Sequence, residues 1–413
     1  MTSTGPPFTI LTRGGHPDFV DLPWDVPLAE WDHPRLVRMA HGISRHVVRF
    51  VRYDDRVYAL KATGRHGAER EFRVLRALEE DDLPAVEAAG RVTIQVREGA
   101  GEDDDGLLIT RYLDFSLPYW YLLARDEGPD ITHKLIDAAA VLLVRLHLDG
   151  VYWGDCSLSN VLFRRDAGAL MAYMVDAETS ERRPSLSDGM RQRELDIAWE
   201  NIVGGLLDLQ AAGRVPETVD PVEIADTLRE RYDSLWSELT RVDEFEEAER
   251  WRIDQRIRHL NELGFDVDEL TIDLAAPGST LRLQPVLVDE GHHARELRRR
   301  TGLEVQENQA RRLLADIANF RARRQQDTGR EIAEGLAGAM WMAEVFEPLV
   351  DAVPAELRSR LEAPEFFHQL LEHRYLMSER EQREVTNPEA LADYLTHVLP
   401  HRPAERNLTT EGP

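Results

Sequence analysis

The chain has 413 residues, more than one hydrophobic core ordinarily serves, so more than one structural unit is expected. Hydrophobic and charged fractions of 42% and 31% suit a soluble globular protein, and no apolar stretch approaches the ~20 residues of a membrane span. A formal net charge of −26 repels phosphate backbones and counts against nucleic acid as a partner, while the single cysteine, Cys156, excludes an internal disulfide and a multi-cysteine zinc site. The N-terminal Met-Thr-Ser-Thr-Gly-Pro-Pro has neither the basic nor the apolar region of a signal peptide, so the expected location is cytoplasmic.

Residues 1–32, rich in Pro, Gly and Trp and without a period, are expected to form an irregular segment docked on the first domain. Gly42-Ile43-Ser44-Arg45 suits a turn leading into a strand that runs to Val51. Asp54-Asp55 is a turn signal, and Arg56 to Lys61 reads as the second strand of the hairpin. A helix follows, with Phe72, Leu75 and Leu78 on one face. Two more strands are expected at 91–96 and 107–112, separated by the acidic turn 102–105.

Beyond Tyr112 the pattern is mostly helical: 131–148, closed by Gly150, then 191–210, 222–240 and 245–263. A new unit is expected from Phe265, with strands at 270–274 and 280–288 followed by long amphipathic helices to about His397 and a polar tail.

Between the first two of those helices lies Val151-Tyr152-Trp153-Gly154-Asp155-Cys156-Ser157-Leu158-Ser159-Asn160-Val161-Leu162-Phe163, and Asp176 ends the next apolar run. A carboxylate, an amide five residues on and a second carboxylate are the groups that phosphoryl transfer uses to meet a hydroxyl and hold Mg²⁺. The spacing alone is common; an upstream strand lysine in Tyr58-Ala59-Leu60-Lys61 and a helix carrying Glu71-Phe72-Arg73-Val74-Leu75 add to it.

In this order the motifs resemble the protein-kinase-like superfamily. They are most similar to lipopolysaccharide-core kinases and to aminoglycoside- or RIO-type atypical kinases, and the chain also resembles an uncharacterised bacterial family of lipopolysaccharide-kinase-like proteins. The resemblance implies an α+β, bilobal protein-kinase-like fold: a small antiparallel sheet lobe at 33–113 and a helical lobe at 114–264. Residues 265–400 are then expected to form an additional, mostly helical C-terminal domain with a short β-hairpin, and 401–413 a disordered tail. It also implies an ATP/Mg²⁺-dependent phosphotransferase that moves the γ-phosphate to a hydroxyl of an unknown acceptor.

The resemblance assigns catalytic roles to Asp155, Lys61 and Glu71. Glu69 competes with Glu71, since two residues apart they face nearly opposite sides of a helix and only one can reach Lys61. Asn160 and Asp176 are the expected metal ligands. Gly42, Ser44, Arg45 and Lys61 are expected on the phosphates, and Thr110 and Tyr112 in the segment that meets the adenine edge. Asp196, in Glu194-Leu195-Asp196-Ile197-Ala198, is the expected backbone anchor of the catalytic loop, or alternatively a helix N-cap.

The departures are as informative. One glycine stands where protein kinases have a Gly-rich loop, Trp153 where many have His, and Ala177-Glu178 where D-F-G has Phe-Gly. Glu178 is read as a solvated acid and Cys156 as a small buried residue. These departures suggest a catalytically weak or inactive nucleotide-binding scaffold with a partner-binding C-terminal domain, and the C-terminal arginines suggest a third reading, a nucleic-acid-binding regulator. The latter would work through Arg295–Arg324, where arginines outnumber acids around the glycine turn at Gly302. Those arginines bind an anionic partner, or they neutralise an acidic protein; the abundance of acidic segments favours the second. Trp341, Phe346, Phe366 and Phe367 are expected in the core of the helical unit.

Overall fold

A computed structural model of the protein separates two units, the first built from Met1–Phe163 and Ala172–Tyr232, the second from Arg164–Met171 and Asp233–Asn407. The structure describes residues 8–39, 46–94, 105–124, 130–240, 243–245, 255, 269–274, 281–286 and 291–407. In the first unit, β1 (Phe8–Thr12), β2 (Leu36–Val37), β3 (Val48–Tyr53), β4 (Arg56–Ala62), β5 (Ala88–Ile94) and β6 (Gly106–Arg111) form one antiparallel sheet of order β1-β5-β6-β4-β3-β2. The first 32 residues are therefore not wholly irregular: Phe8–Thr12 pairs with β5, and Phe19, Trp24, Leu28 and Trp31 are buried against the sheet.

Side-chain alternation along β4 decides what faces the cleft. Tyr58, Leu60 and Ala62 join the core formed with the N-terminal segment, while Ala59 and Lys61 point to the other face, where they line a cavity. The helix α1 (Gly64–Glu80) follows at once, and its buried positions Ala68, Glu71, Phe72, Leu75 and Leu78 recur at helical spacing. Glu71 is thus carried inward by the same face as the leucines, whereas Glu69 is half-exposed beside Arg73 and Arg91.

The rest of the first unit holds β7 (Leu117–Pro118), α2 (Tyr119–Ala124), α3 (Asp130–Leu148), β8 (Val151–Tyr152), β9 (Val161–Asp166), β10 (Ala169–Met174), β11 (Glu181–Arg182), α4 (Asp188–Ala211) and the part of α5 (Pro221–Thr240) that precedes Asp233. β9 and β10 form a hairpin whose tip, Arg164–Met171, belongs to the second unit. The α3 helix is buried on most sides, and Gly150 ends it at φ +75°. A Cβ at Gly150 would lie 2.0 Å from the Arg183 carbonyl oxygen, so the turn into β8 requires glycine twice over.

The second unit has strands β12 (Asp243–Phe245), β13 (Glu269–Leu274) and β14 (Leu281–Val286) in the order β12-β14-β13. The hairpin expected at 270–288 is present as β13 and β14, but Phe245 lies in a strand, not at the start of a helix, and most of the expected 245–263 helix falls outside the described residues. The unit also begins at Asp233, well before Phe265. Its helices are α6 (His292–Thr301), α7 (Glu307–Thr328), α8 (Glu334–Trp341), α9 (Glu347–Asp351), α10 (Ala363–Glu381) and α11 (Asn387–His397). Trp341, Phe346, Phe366 and Phe367 are all in its buried core, as the sequence indicates.

Borrowed carboxylates cap two of these helices. Asp166, at the hairpin tip, accepts from the Asn308 and Gln309 N–H groups at 3.3 and 2.8 Å, satisfying the start of α7; burial lifts its carboxyl to about 6. Glu307 does the same for α6 through the His293 and Ala294 N–H groups at 3.1 and 3.2 Å. Several arginines of α6 and α7 meet acids of their own unit: Arg299 with Glu296 at 2.7 Å, Arg300 and Arg321 with Glu334 at 2.9 and 3.1 Å, and Arg324 with Glu344. That pairing favours internal neutralisation over an anionic partner.

Gly150→Ala forces both a left-handed backbone and a clash. It is expected to cost roughly 1–3 kcal/mol or more, read as a lowered denaturation midpoint; an unchanged midpoint means that this turn relaxes freely.

Candidate active site

Lys61 brings three carboxylates together. Its Nζ lies 3.2 and 3.3 Å from the two Glu71 oxygens, 2.7 Å from Asp176 Oδ2 and 3.7 Å from Glu178. Burial opposes the lysine's charge, but Glu71 and Asp176 outweigh it and hold the ammonium pKa above its ordinary value. For Glu71, which is wholly inaccessible, burial dominates and lifts the carboxyl to about 7, with Asp176 adding to the rise and Lys61 opposing it. The Ala177 N–H also donates to Glu71 at 3.2 Å, so one carboxylate steadies both the lysine and the backbone after Asp176.

The segment Trp153–Cys156 is tied at every residue. Trp153 is buried and its indole N–H donates to the Asp176 carbonyl at 2.8 Å, linking the Asp155 loop to the Asp176 loop. Glu194 accepts from the Trp153 and Gly154 N–H groups at 3.0 and 2.6 Å and from His147 Nε2 at 2.8 Å. His147 Nδ1 meets the Tyr232 hydroxyl at 2.6 Å. Asp155 lies 3.4 Å from the Asn160 amide through Oδ2 and 3.1 Å from the Asn201 amide through Oδ1. Asn160 in turn accepts the Val175 N–H at 3.0 Å through its own carbonyl, which holds the residue before Asp176 in register with it.

These groups open onto a cleft of about 340 Å³, inside the usual size range of small-molecule sites. Lys61, Glu71, Asp155, Asn160 and Asp176 line it, with apolar Val48, Ala59 and Leu162. Thr110 and Tyr112 line it too. Asp176 and the Asn160 amide offer hard oxygen donors suited to Mg²⁺. Among the described residues no group of three or more His, Cys, Asp or Glu forms a metal cage, so a metal here would draw its other ligands from phosphate and water.

Residues 50–198 match the model of the Lipopolysaccharide kinase (Kdo/WaaP) family. This part of the chain is a lipopolysaccharide-kinase-like domain. Residues 234–399 match a Domain of unknown function (DUF4032), and no curated protein matches the chain. Among solved structures, "WaaP in complex with acyl carrier protein" is similar at 17% identity, over 56% of this chain and 89% of that one, with a TM-score of 0.32. So loose a superposition adds nothing to the geometry above.

Several expectations for the kinase-like domain need correction. Asp196 does not anchor the Asp155 loop: it is exposed, 2.6 Å from Arg229, and the buried Glu194 holds the loop N–H groups instead. Nor does Asp196 cap the helix, since α4 starts at Asp188 behind Ser187, whose side chain accepts from Met190. Glu178 is not a solvated acid; it is largely buried, with the His46 ring at 2.8 Å. Gly42, Ser44 and Arg45 fall outside the described residues. Cys156 is buried as expected, and burial raises its thiol pKa well above the ordinary value, followed by Glu194 and Asp155, which leaves it protonated.

Glu194 and Asn201 were not legible as site residues, although a signal existed. Seven residues apart, they share one flank of α4, beside the buried Leu195, Ala198 and Ile202.

Removing Glu194 strands a buried histidine and two backbone N–H groups. Glu194→Ala is expected to cost about 3–5 kcal/mol, against about 0.5–1 kcal/mol for Asp196→Ala; equal losses in chemical denaturation would restore Asp196 as the anchor. Because folding raises the Glu71 pKa from 4.5 to about 7, the folded state binds that proton more tightly than the unfolded chain. The stability this confers is present below pH 4.5 and lost as pH rises towards 7. Relative to Glu71→Gln, the parent protein should lose on the order of 2–3 kcal/mol across that window; a pH-independent difference in calorimetry counts against the assignment.

Proposed function

We propose that the protein is an ATP- and Mg²⁺-dependent phosphotransferase of the atypical kinase kind, which moves a γ-phosphate to the hydroxyl of an acceptor. The observation that carries this reading is the convergence, in one cleft, of Lys61 between Glu71 and Asp176 with Asp155 and Asn160. Bound Mg-ATP supplies the phosphoryl group and the positive charge that offsets it.

The chain's own residues do the rest. Lys61, held by Glu71, binds the α- and β-phosphates. Asp176 and Asn160 hold Mg²⁺. Asp155 orients the acceptor hydroxyl and takes its proton as the new oxygen–phosphorus bond forms and the bond to the ADP oxygen breaks. Thr110 and Tyr112 lie where the adenine edge is expected. A cytoplasmic site of action, where ATP is plentiful, fits this reading.

The test is Mg-ATP calorimetry paired with a phosphoryl-transfer assay. Lys61→Ala is expected to weaken binding at least tenfold, and Asp155→Asn to leave binding intact while slowing turnover about 10²–10⁴-fold. No binding by the parent protein would end the proposal. Binding without turnover, unaltered by Asp155→Asn, would favour the inactive nucleotide-binding scaffold.

A further inference from the structure

Asn201 lies on α4, more than forty residues after the loop it touches, and it lines the cleft. Its Nδ2 is 3.1 Å from Asp155 Oδ1 and 3.1 Å from the Cys156 carbonyl oxygen. An amide NH₂ has two N–H donors, and both are engaged here. The two neighbours are a carboxylate and a carbonyl, so the amide can stand only this way round; turned over, its oxygen would face two acceptors.

Two amides therefore bracket the Asp155 carboxylate, Asn160 on Oδ2 and Asn201 on Oδ1. Their duties differ. Asn160 sits in the same loop and is the expected metal ligand. Asn201 stands on a long helix next to the buried Ile202, and it shares its flank with Glu194, which grips the Trp153 and Gly154 N–H groups. A single helix edge thus holds four successive loop residues: two through N–H groups, one through its carboxylate and one through its carbonyl.

We propose that Asn201 is a positioning residue for the phosphoryl-transfer step: it fixes the rotamer of Asp155, so that the carboxylate meets the acceptor hydroxyl in one orientation. This rests on the proposed phosphotransferase reading. Without the Asn201 amide the Asp155 carboxylate keeps only the longer Asn160 contact at 3.4 Å, which leaves it room to turn while the nucleotide-binding groups stay in place. A misplacement of about 1 Å at a reacting group is enough to cost on the order of 100-fold in rate.

The experiment compares the parent protein with Asn201→Ala, Asn201→Asp and Asn201→Ser, using Mg-ATP calorimetry and ATP turnover with water as the acceptor. Asn201→Ala is expected to keep the Mg-ATP affinity and the KM for ATP within about threefold and to lower kcat about 10- to 100-fold. Asn201→Asp, isosteric but facing Asp155 with an acceptor, should lower kcat at least as much, and Asn201→Ser, with one donor, should recover part of it. An unchanged kcat in Asn201→Ala overturns the inference; so does a loss of nucleotide binding in proportion to kcat, which marks a merely structural role. If the parent binds Mg-ATP but does not turn it over, the phosphotransferase reading fails separately. The contact is then judged by the Asn201 side-chain amide resonances. Their shift in Asp155→Ala supports Asn201 as the group that orients Asp155, and their invariance overturns it.

Discussion

A lysine ammonium withdrawn from water must find carboxylates, and around Lys61 that requirement joins three separate parts of the chain. The strand β4 supplies the cation, α1 supplies Glu71, and the residues after β10 supply Asp176 and Glu178. Glu71, with no exposed surface, is costly to bury without the lysine, whereas Asp176 keeps some exposure and Glu178 also meets His46. These contacts to one ammonium hold the sheet, the helix and the Asp176 loop in a common arrangement. The Glu71 carboxyl shows the cost: burial lifts it to about 7 even with the ammonium in contact.

The Asp155 loop meets a different constraint. Its backbone N–H and C=O groups lie in a partly buried turn and must be paired. The buried face of α4 meets the need with Glu194 and Asn201, while Trp153 ties the loop to the Asp176 carbonyl. A tryptophan where many kinases have histidine therefore does not weaken this loop; its indole N–H makes a long-range tie of its own. Thr179 and Ser180 hydroxyls, donating to the Trp153 carbonyl at 2.8 and 3.3 Å, close the same turn from the other side. The short stretch after Asp176 is thus engaged in holding the loop and pairs as β11 with β8.

What could be read in advance follows from how each residue is placed. Lys61 was legible from the strand run Tyr58-Ala59-Leu60-Lys61 that ends on it, and the structure puts it on the face opposite Tyr58 and Leu60. Glu71 stayed in competition with Glu69, although its place four residues before Leu75 on the buried stripe of α1 is the signal that separates them. Asp196 misled because a match to a short motif ignored helix phase: it lies two residues from Glu194 and so on the far flank of α4. The N-terminal strand Phe8–Thr12 was missed because its alternation is short and its partner, β5, is some eighty residues distant. The hairpin tip gave no warning that Arg164–Met171 belongs with the second unit, since the acids and amides that receive it, Gln309, Glu362 and Glu365, lie well over a hundred residues away.

By itself, the sequence determined the periodicities, and with them the two strands of the lysine hairpin, the buried face of α1, the long helices and the order of the chemical groups. These depend on residues near one another along the chain, where backbone geometry sets which side chains share a face. Only the tertiary structure decided which carboxylate meets Lys61, that Glu194 and not Asp196 holds the Asp155 loop, and that Asn201 reaches Asp155. Those choices are pairings between distant segments, settled by which buried polar groups can satisfy one another when the chain closes.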